Sequence, residues 1–209
     1  MDLQQANQQA HQQARKALQA PCHQERLKVC NATFKPRPHA NQAQYGLSLL
    51  ALEFNKPREA MEHLQPLLQE NPGEQAYRTQ WLKIVYFQGA YSRLLAQARD
   101  WASENSGPDP LEQYRLTGNA SRALGMWDVA EQLYNEGLNI LPEHPCLLSE
   151  LALLQAMRPL GDKESAQSQA YALTEQYPRS LPILKNAAHI FLLSQNPRPV
   201  ESWLQKAQQ

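Results

Sequence analysis

Cysteine is scarce in this chain of 209 residues: Cys22, Cys30 and Cys146 are too few and too odd in number for a disulfide framework. A local Cys22–Cys30 bridge suits an oxidising compartment, and reduced thiols are the other reading. There is no excess of charge of either sign, since 20 Lys and Arg balance 20 Asp and Glu. That balance argues against a nucleic-acid or membrane-surface binder that works through bulk charge. Mean hydropathy is −0.63, and no run approaches the roughly 18 apolar residues that a membrane span needs, so no membrane insertion is expected. The first 30 residues hold no uninterrupted apolar stretch of the kind that a secretory leader requires. Phosphate-cradling and nucleophile-elbow motifs are missing as well, with no GxGxxG, no GxxxxGK[ST] and no GxSxG. The histidines at 11, 23, 39, 63, 144 and 189 form no i, i+4 pair, and the grouping of Cys22, His23, Cys30 and His39 fits no common zinc spacing. The expectation is a protein without catalytic residues, metal or cofactor. An enzyme is not expected.

What is present is glutamine, 26 residues in all and six among the first 13. The opening MDLQQANQQAHQQARKALQA is a fair helix former with little to bury, so residues 1–38 read as an exposed helical arm and linker. Apolar residues make up 42% of the chain, enough for a core in the remainder, residues 39–209. Proline punctuates that remainder. Asn71-Pro72, Leu141-Pro142 and Tyr177-Pro178 each close an amphipathic stretch, and Ser106-Gly107-Pro108 falls between the first two. Units therefore begin near 41, 75, 111, 147 and 181, with a period of 34 to 36 residues.

Alignment of the units shows what recurs. A small or aliphatic residue stands at Ala60, Leu94, Ala130, Ala166 and Val200. Four residues later come Leu64, Ala98, Tyr134, Ala170 and Leu204, and three after those Leu67, Trp101, Gly137, Leu173 and Ala207. These spacings put all three on one helical face. The first half of each unit carries a matching face around Leu47, Trp81, Gly118, Leu151 and Ala188. Breakers divide the halves: Asn55-Lys56-Pro57, Gln88-Gly89, Leu124-Gly125, Pro159-Leu160-Gly161-Asp162 and Asn196-Pro197. Pro57 suits a first helical position, and Gly89, Gly125 and Gly161 suit helix C-caps. Pro66 interrupts the second helix of the first unit, where it should bend the helix near Glu62. No segment alternates as a strand would. Each unit reads as two antiparallel helices. The carboxylates Glu131, Glu136 and Glu150 fall where this pattern predicts exposed faces. Asn31-Ala32-Thr33 and Asn119-Ala120-Ser121 match the glycosylation pattern, the second in mid-helix.

The third unit, GNASRALGMWDVAEQLYNEGLNILPEHP, resembles the tetratricopeptide repeat (TPR) family through Gly118, Trp127, Ala130, Tyr134, Gly137 and Pro142. The first, GLSLLALEFNKPREAMEHLQPLLQENP, is nearly as good, and the resemblance extends over residues 39–207. The second and fifth units depart from the pattern, with Leu94 and Val200 where Ala is expected. The resemblance implies an all-α, right-handed α-solenoid of about five helical hairpins preceded by the arm. It also implies protein–protein recognition in a concave groove lined by the first helices. A single hairpin cannot bury its apolar face, whereas stacked neighbours share one core. The phrase AQYGLSLLALE…EAMEHLQPLL is also similar to the repeat half of certain periplasmic metalloproteases, whose zinc-binding His-Glu-x-x-His is absent here.

In the family's register the groove residues include Lys83, Tyr86, Phe87, Arg115, Asn119, Arg122, Arg158, Lys185 and His189. The full groove set holds five cations (Lys83, Arg115, Arg122, Arg158 and Lys185) against Glu53 and Glu112, a net of about +3. Residues 41–209 hold fourteen cations and eighteen anions, so the remaining surface is near −7 and of opposite sign. This favours an acidic peptide or a C-terminal carboxylate across Lys83, Arg115, Asn119, Arg122 and Lys185, with Tyr86 and Phe87 as apolar anchors. Arg115 and Asn119 resemble the opening pair of the family's two-carboxylate clamp for chaperone C-termini. Ala152, Pro182 and Asn186 break its continuation, which puts that specific role in doubt. Two alternatives compete: a self-associating (homo-oligomeric) assembly scaffold, and the regulatory TPR portion of a larger bacterial envelope machine or protease. The arm carries six cations and two anions, so it suits an acidic face better than a basic groove. The missing leader and sparse cysteine point to the cytoplasm. The Gln-rich, Lys-poor composition and the Cys22/Cys30 pair suit the periplasm as the alternative.

Overall fold

The computed structural model describes residues 40–102, 107–195, 199–200 and 203. The arm, the Cys22–Cys30 pair and the fifth-unit positions Leu204 and Ala207 lie outside those residues. The described residues hold nine α-helices and no strand. In order they are α1 (Ala40–Glu53), α2 (Pro57–Glu70), α3 (Gln75–Phe87), α4 (Tyr91–Ala102), α5 (Pro110–Ala123), α6 (Trp127–Ile140), α7 (Pro145–Met157), α8 (Lys163–Gln176) and α9 (Leu181–Leu193). The odd-numbered helices start within two residues of the unit starts read from the proline spacing. Two compact units result, one ending at Gly89 and the other beginning at Ala90.

The first unit packs α1 against α2 and α2 against α3. Ala60, Leu64 and Leu67 make one fully buried stripe of α2, and Leu82, Ile84 and Val85 of α3 are equally buried. The buried Gln80 amide donates to the carbonyl of Ser48 at 3.4 Å, so α3 is tied to α1 by a polar contact as well as by packing. Helix α2 runs through Pro66 without ending.

In the second unit the pairs α5/α6 and α7/α8 are each followed by a helix that packs on both members, α7 on the first and α9 on the second. The predicted seating residues Leu94, Ala130 and Ala166 are fully buried, and Val200 is half-buried. Gly137 illustrates why small residues recur. A Cβ there would stand 2.7 Å from Leu147 Cδ1, so the α5–α6 crevice holds Leu147 of α7 only because that position is bare. In the first helices, Trp81 and Gly118 are buried as the pattern requires, while Leu47, Leu151 and Ala188 are half-buried.

Turn chemistry follows the breakers, with one correction. Gly89 and Gly125 adopt φ of +72° and +75°, and Asn55 and Gln195 take the same left-handed role at φ 55° and 56°. Gly161 does not. Helix α7 ends at Met157 with Arg158 extended, and Gly161 is needed for a different reason: a Cβ would run into the backbone carbonyl of Gln155. Asp162 then caps α8, its Oδ1 accepting from Ser165 N at 2.9 Å. Asp162→Ala is expected to destabilise the second unit by about 1 kcal/mol, within the usual range for N-caps. Urea denaturation followed by circular dichroism checks this, and Asp162→Asn should restore most of the loss.

Candidate partner-binding faces

Along α5, Glu112, Arg115, Asn119 and Arg122 recur at intervals of three, four and three, which places them on one face. That face meets α7, and Glu150 of α7 meets it in return. Asn119 Nδ2 donates to Glu150 Oε1 at 3.1 Å. Arg122 Nη2 is 3.1 Å from Glu150 Oε2, and Arg115 Nη1 is 3.7 Å from Oε1. Arg115 Nε also donates to Glu112 Oε2 at 2.6 Å. From α6, Tyr134 Oη donates to Asn119 Oδ1 at 2.6 Å, and Arg122 Nη2 reaches the same oxygen at 3.3 Å. The tyrosine hydroxyl thereby fixes which end of the amide faces Glu150.

Three helices are thus joined around one carboxylate. Glu150 is 4% exposed, and the Arg115 and Arg122 side chains are 22% and 12% exposed. This corrects the expectation that Glu150 sits on a solvated face. Its position between Leu147 and Leu154, at i−3 and i+4 on a largely apolar helix, is the sequence signal for burial. Burial opposes the Arg115 charge, but the hydrogen bond to Glu112 and the charges of Glu112 and Glu150 outweigh it and hold the guanidinium above its ordinary value. Cys146, half-buried one turn before Glu150, is pushed up by burial, with Arg115 opposing. The predicted basic stripe therefore contains an anion that its net charge omitted. Glu150 and Glu112 match Arg115 and Arg122.

Arg158 is also paired. Its Nη2 stands 2.7 Å from Glu131 Oε2 and 3.0 Å from Asp128 Oδ1, both on α6. Asp128 is almost fully exposed, so this pairing adds little stability. Glu136 accepts from Gln132 on an exposed stretch.

Helix α9 is different. Lys185 and His189, one turn apart and exposed, flank a cavity of about 300 Å³. Leu184, Ala188, Leu192, Val200 and Trp203 contribute apolar walls, with Trp203 packed edge-to-face on Phe191 at 5.1 Å. Leu192 is 57% exposed. No described acidic residue lines this cavity, and among the described residues no ion pair involves Lys185. Burial and then the charge of Arg122 hold His189 below its ordinary value. In the first unit, Tyr86 and Phe87 form a T-shaped pair at 6.2 Å, with Phe87 56% exposed and Lys83 half-buried one turn earlier.

Among the described residues no group of three His, Cys, Asp or Glu could hold a metal ion, and no helix is long and apolar enough to cross a membrane. No family model matches the sequence, and no curated protein is significantly similar to it. Solved structures are similar. A thermophilic TPR protein of Thermus thermophilus superposes with a TM-score of 0.67 at 21% identity, over 88% of this chain and 99% of that one. A tetratricopeptide repeat protein from Parabacteroides merdae superposes with a TM-score of 0.63 at 15% identity, over 97% of this chain and 78% of that one. The fold is that of TPR proteins, an all-α array of helical hairpins.

Proposed function

We propose that the chain is a non-catalytic protein-interaction module whose second unit captures a partner segment at α9, taking an acidic or C-terminal carboxylate on Lys185 and an apolar side chain in the adjoining cavity. The observation that carries this reading is the pairing of an exposed ammonium with an apolar cavity of about 300 Å³ that has no described acid in its wall. A carboxylate at Lys185 meets no competitor among the described residues, and His189 adds a donor one turn along the helix. Arg115, Asn119 and Arg122 contribute the polar floor between α5 and α7. Arg158 is directed to α6 and lies apart from that floor. Tyr86 and Phe87, with Lys83, form a second apolar anchor carried by the first unit.

Selection from displayed random peptides with free C-termini, followed by calorimetry on the selected sequences, tests the reading. The selected peptides are expected to carry an apolar residue near an acidic group or the terminal carboxylate. Lys185→Glu and Leu192→Asp change exposed side chains and should leave the helical signal intact while weakening binding by about tenfold or more each, equivalent to about 1.4 kcal/mol. Undiminished binding by both variants overturns the proposal. Sedimentation of the unliganded protein across concentrations decides the competing reading, a self-associating scaffold.

A further inference from the structure

We infer that Arg115, Asn119 and Arg122 form a carboxylate-binding cradle whose resident ligand is the chain's own Glu150, so that this stretch of the face is closed to an incoming acidic group. One hydrogen bond and two charge contacts converge on the carboxylate. One amide N–H reaches Oε1 at 3.1 Å, one guanidinium stands 3.1 Å from Oε2, and a second stands 3.7 Å from Oε1. Asn119 is held in the donating orientation by Tyr134 Oη. Arg115 is aligned by its own bond to Glu112. The buried Nη1 of Arg122 and Oε2 of Glu150 both lack a hydrogen-bond partner, so Arg122 holds this oxygen by charge at 3.1 Å and keeps a further donor free. Such preorganised donors are what a carboxylate site requires.

The consequence for ligand choice rests on the function proposed above: a partner's carboxylate is confined to Lys185 and His189, and Glu150 sets that specificity. The cradle itself stands on its own geometry, and its test involves no partner. Glu150→Ala deletes a CH₂–COO⁻ group, which acetate matches atom for atom. Thermal unfolding of this variant is expected to shift upward, saturably, with sodium acetate but not with sodium chloride at equal ionic strength. Wild type and Glu150→Gln, whose cradle stays filled, should show no acetate-specific shift. If Glu150→Ala is unfolded without added anion, acetate should restore its helical circular dichroism and chloride should not.

Equal responses to acetate and chloride, an acetate response in wild type, or no restoration of an unfolded variant each overturn the inference. Acetate rescue alongside absent peptide binding would sink only the proposed function. Peptide binding at Lys185 without acetate rescue would sink only the cradle.

Discussion

Glu150→Ala is expected to lower the unfolding free energy by about 3–5 kcal/mol, the range for removing one partner from a buried ion pair. The magnitude follows from what remains. Arg122 is 12% exposed and Arg115 22%, and without Glu150 the first has no other described carboxylate within ion-pairing distance. Arg115 keeps Glu112 and is the lesser loss. Asn119 Nδ2 loses its acceptor in a position that is 4% exposed. Water can enter the vacated space from the Arg115 side, which places the expected value toward the lower end of the range. Glu150→Leu with Arg122→Leu tests the cause. Removing both charges and filling the volume should recover most of the loss, because a buried pair replaced by packed apolar residues is often neutral or better. Urea denaturation of the three proteins decides it. A loss below about 1 kcal/mol for Glu150→Ala would mean that the carboxylate is solvated, and the account of the cradle would fall with it.

The helical hairpins were legible because their signals are local and repeated. Proline after each second helix, glycine or asparagine at the hairpin turn, and small residues at Ala60, Ala130 and Ala166 each report a backbone or packing constraint at that position. The polar network was less legible because its charges come from different helices. Arg115, Asn119 and Arg122 share one face of α5, and a one-helix reading leaves them as an unopposed basic stripe. Their partner is 28 residues beyond Arg122, on a helix whose other buried residues are apolar apart from Ser149, and only the packing of α7 on α5 brings it there. The same limit applies to Arg158, whose acids lie on α6. Among the described residues Lys185 has no such partner, because no described acid lines the cavity beside it. Gly161 shows the opposite error. A glycine after a helix reads as a left-handed cap, but here the close carbonyl of Gln155, not φ, excludes a side chain.

The Gly118–Tyr134 contact yields the second large effect and a sharper diagnostic than either residue alone. Tyr134 is fully buried, its ring seated where a Gly118 Cβ would strike Cε1 and stand 2.7 Å from Cδ1. The ring cannot swing away without breaking its hydroxyl's 2.6 Å bond to Asn119. Gly118→Ala should therefore destabilise by about 2 kcal/mol: overpacking of about 3 kcal/mol, offset by about 1 kcal/mol of improved helix propensity. Tyr134→Ala should cost about 3–5 kcal/mol through lost burial and the cavity left behind. In the double variant the added methyl group enters that cavity, so Gly118→Ala becomes stabilising by about 1 kcal/mol. The sign reversal gives a coupling of about 3 kcal/mol, at the upper end for residues in contact. Additive losses would mean that the two helices approach less closely than the bare Gly118 backbone allows, and the reason for glycine at that position would have to be sought elsewhere. Tyr134→Phe separates the ring from its hydroxyl. It keeps the steric conflict with the methyl group that Gly118→Ala introduces while removing a bond worth about 1 kcal/mol. In the Tyr134→Phe background Gly118→Ala should therefore stay destabilising, so that cycle shows little of the coupling that the Tyr134→Ala cycle reveals.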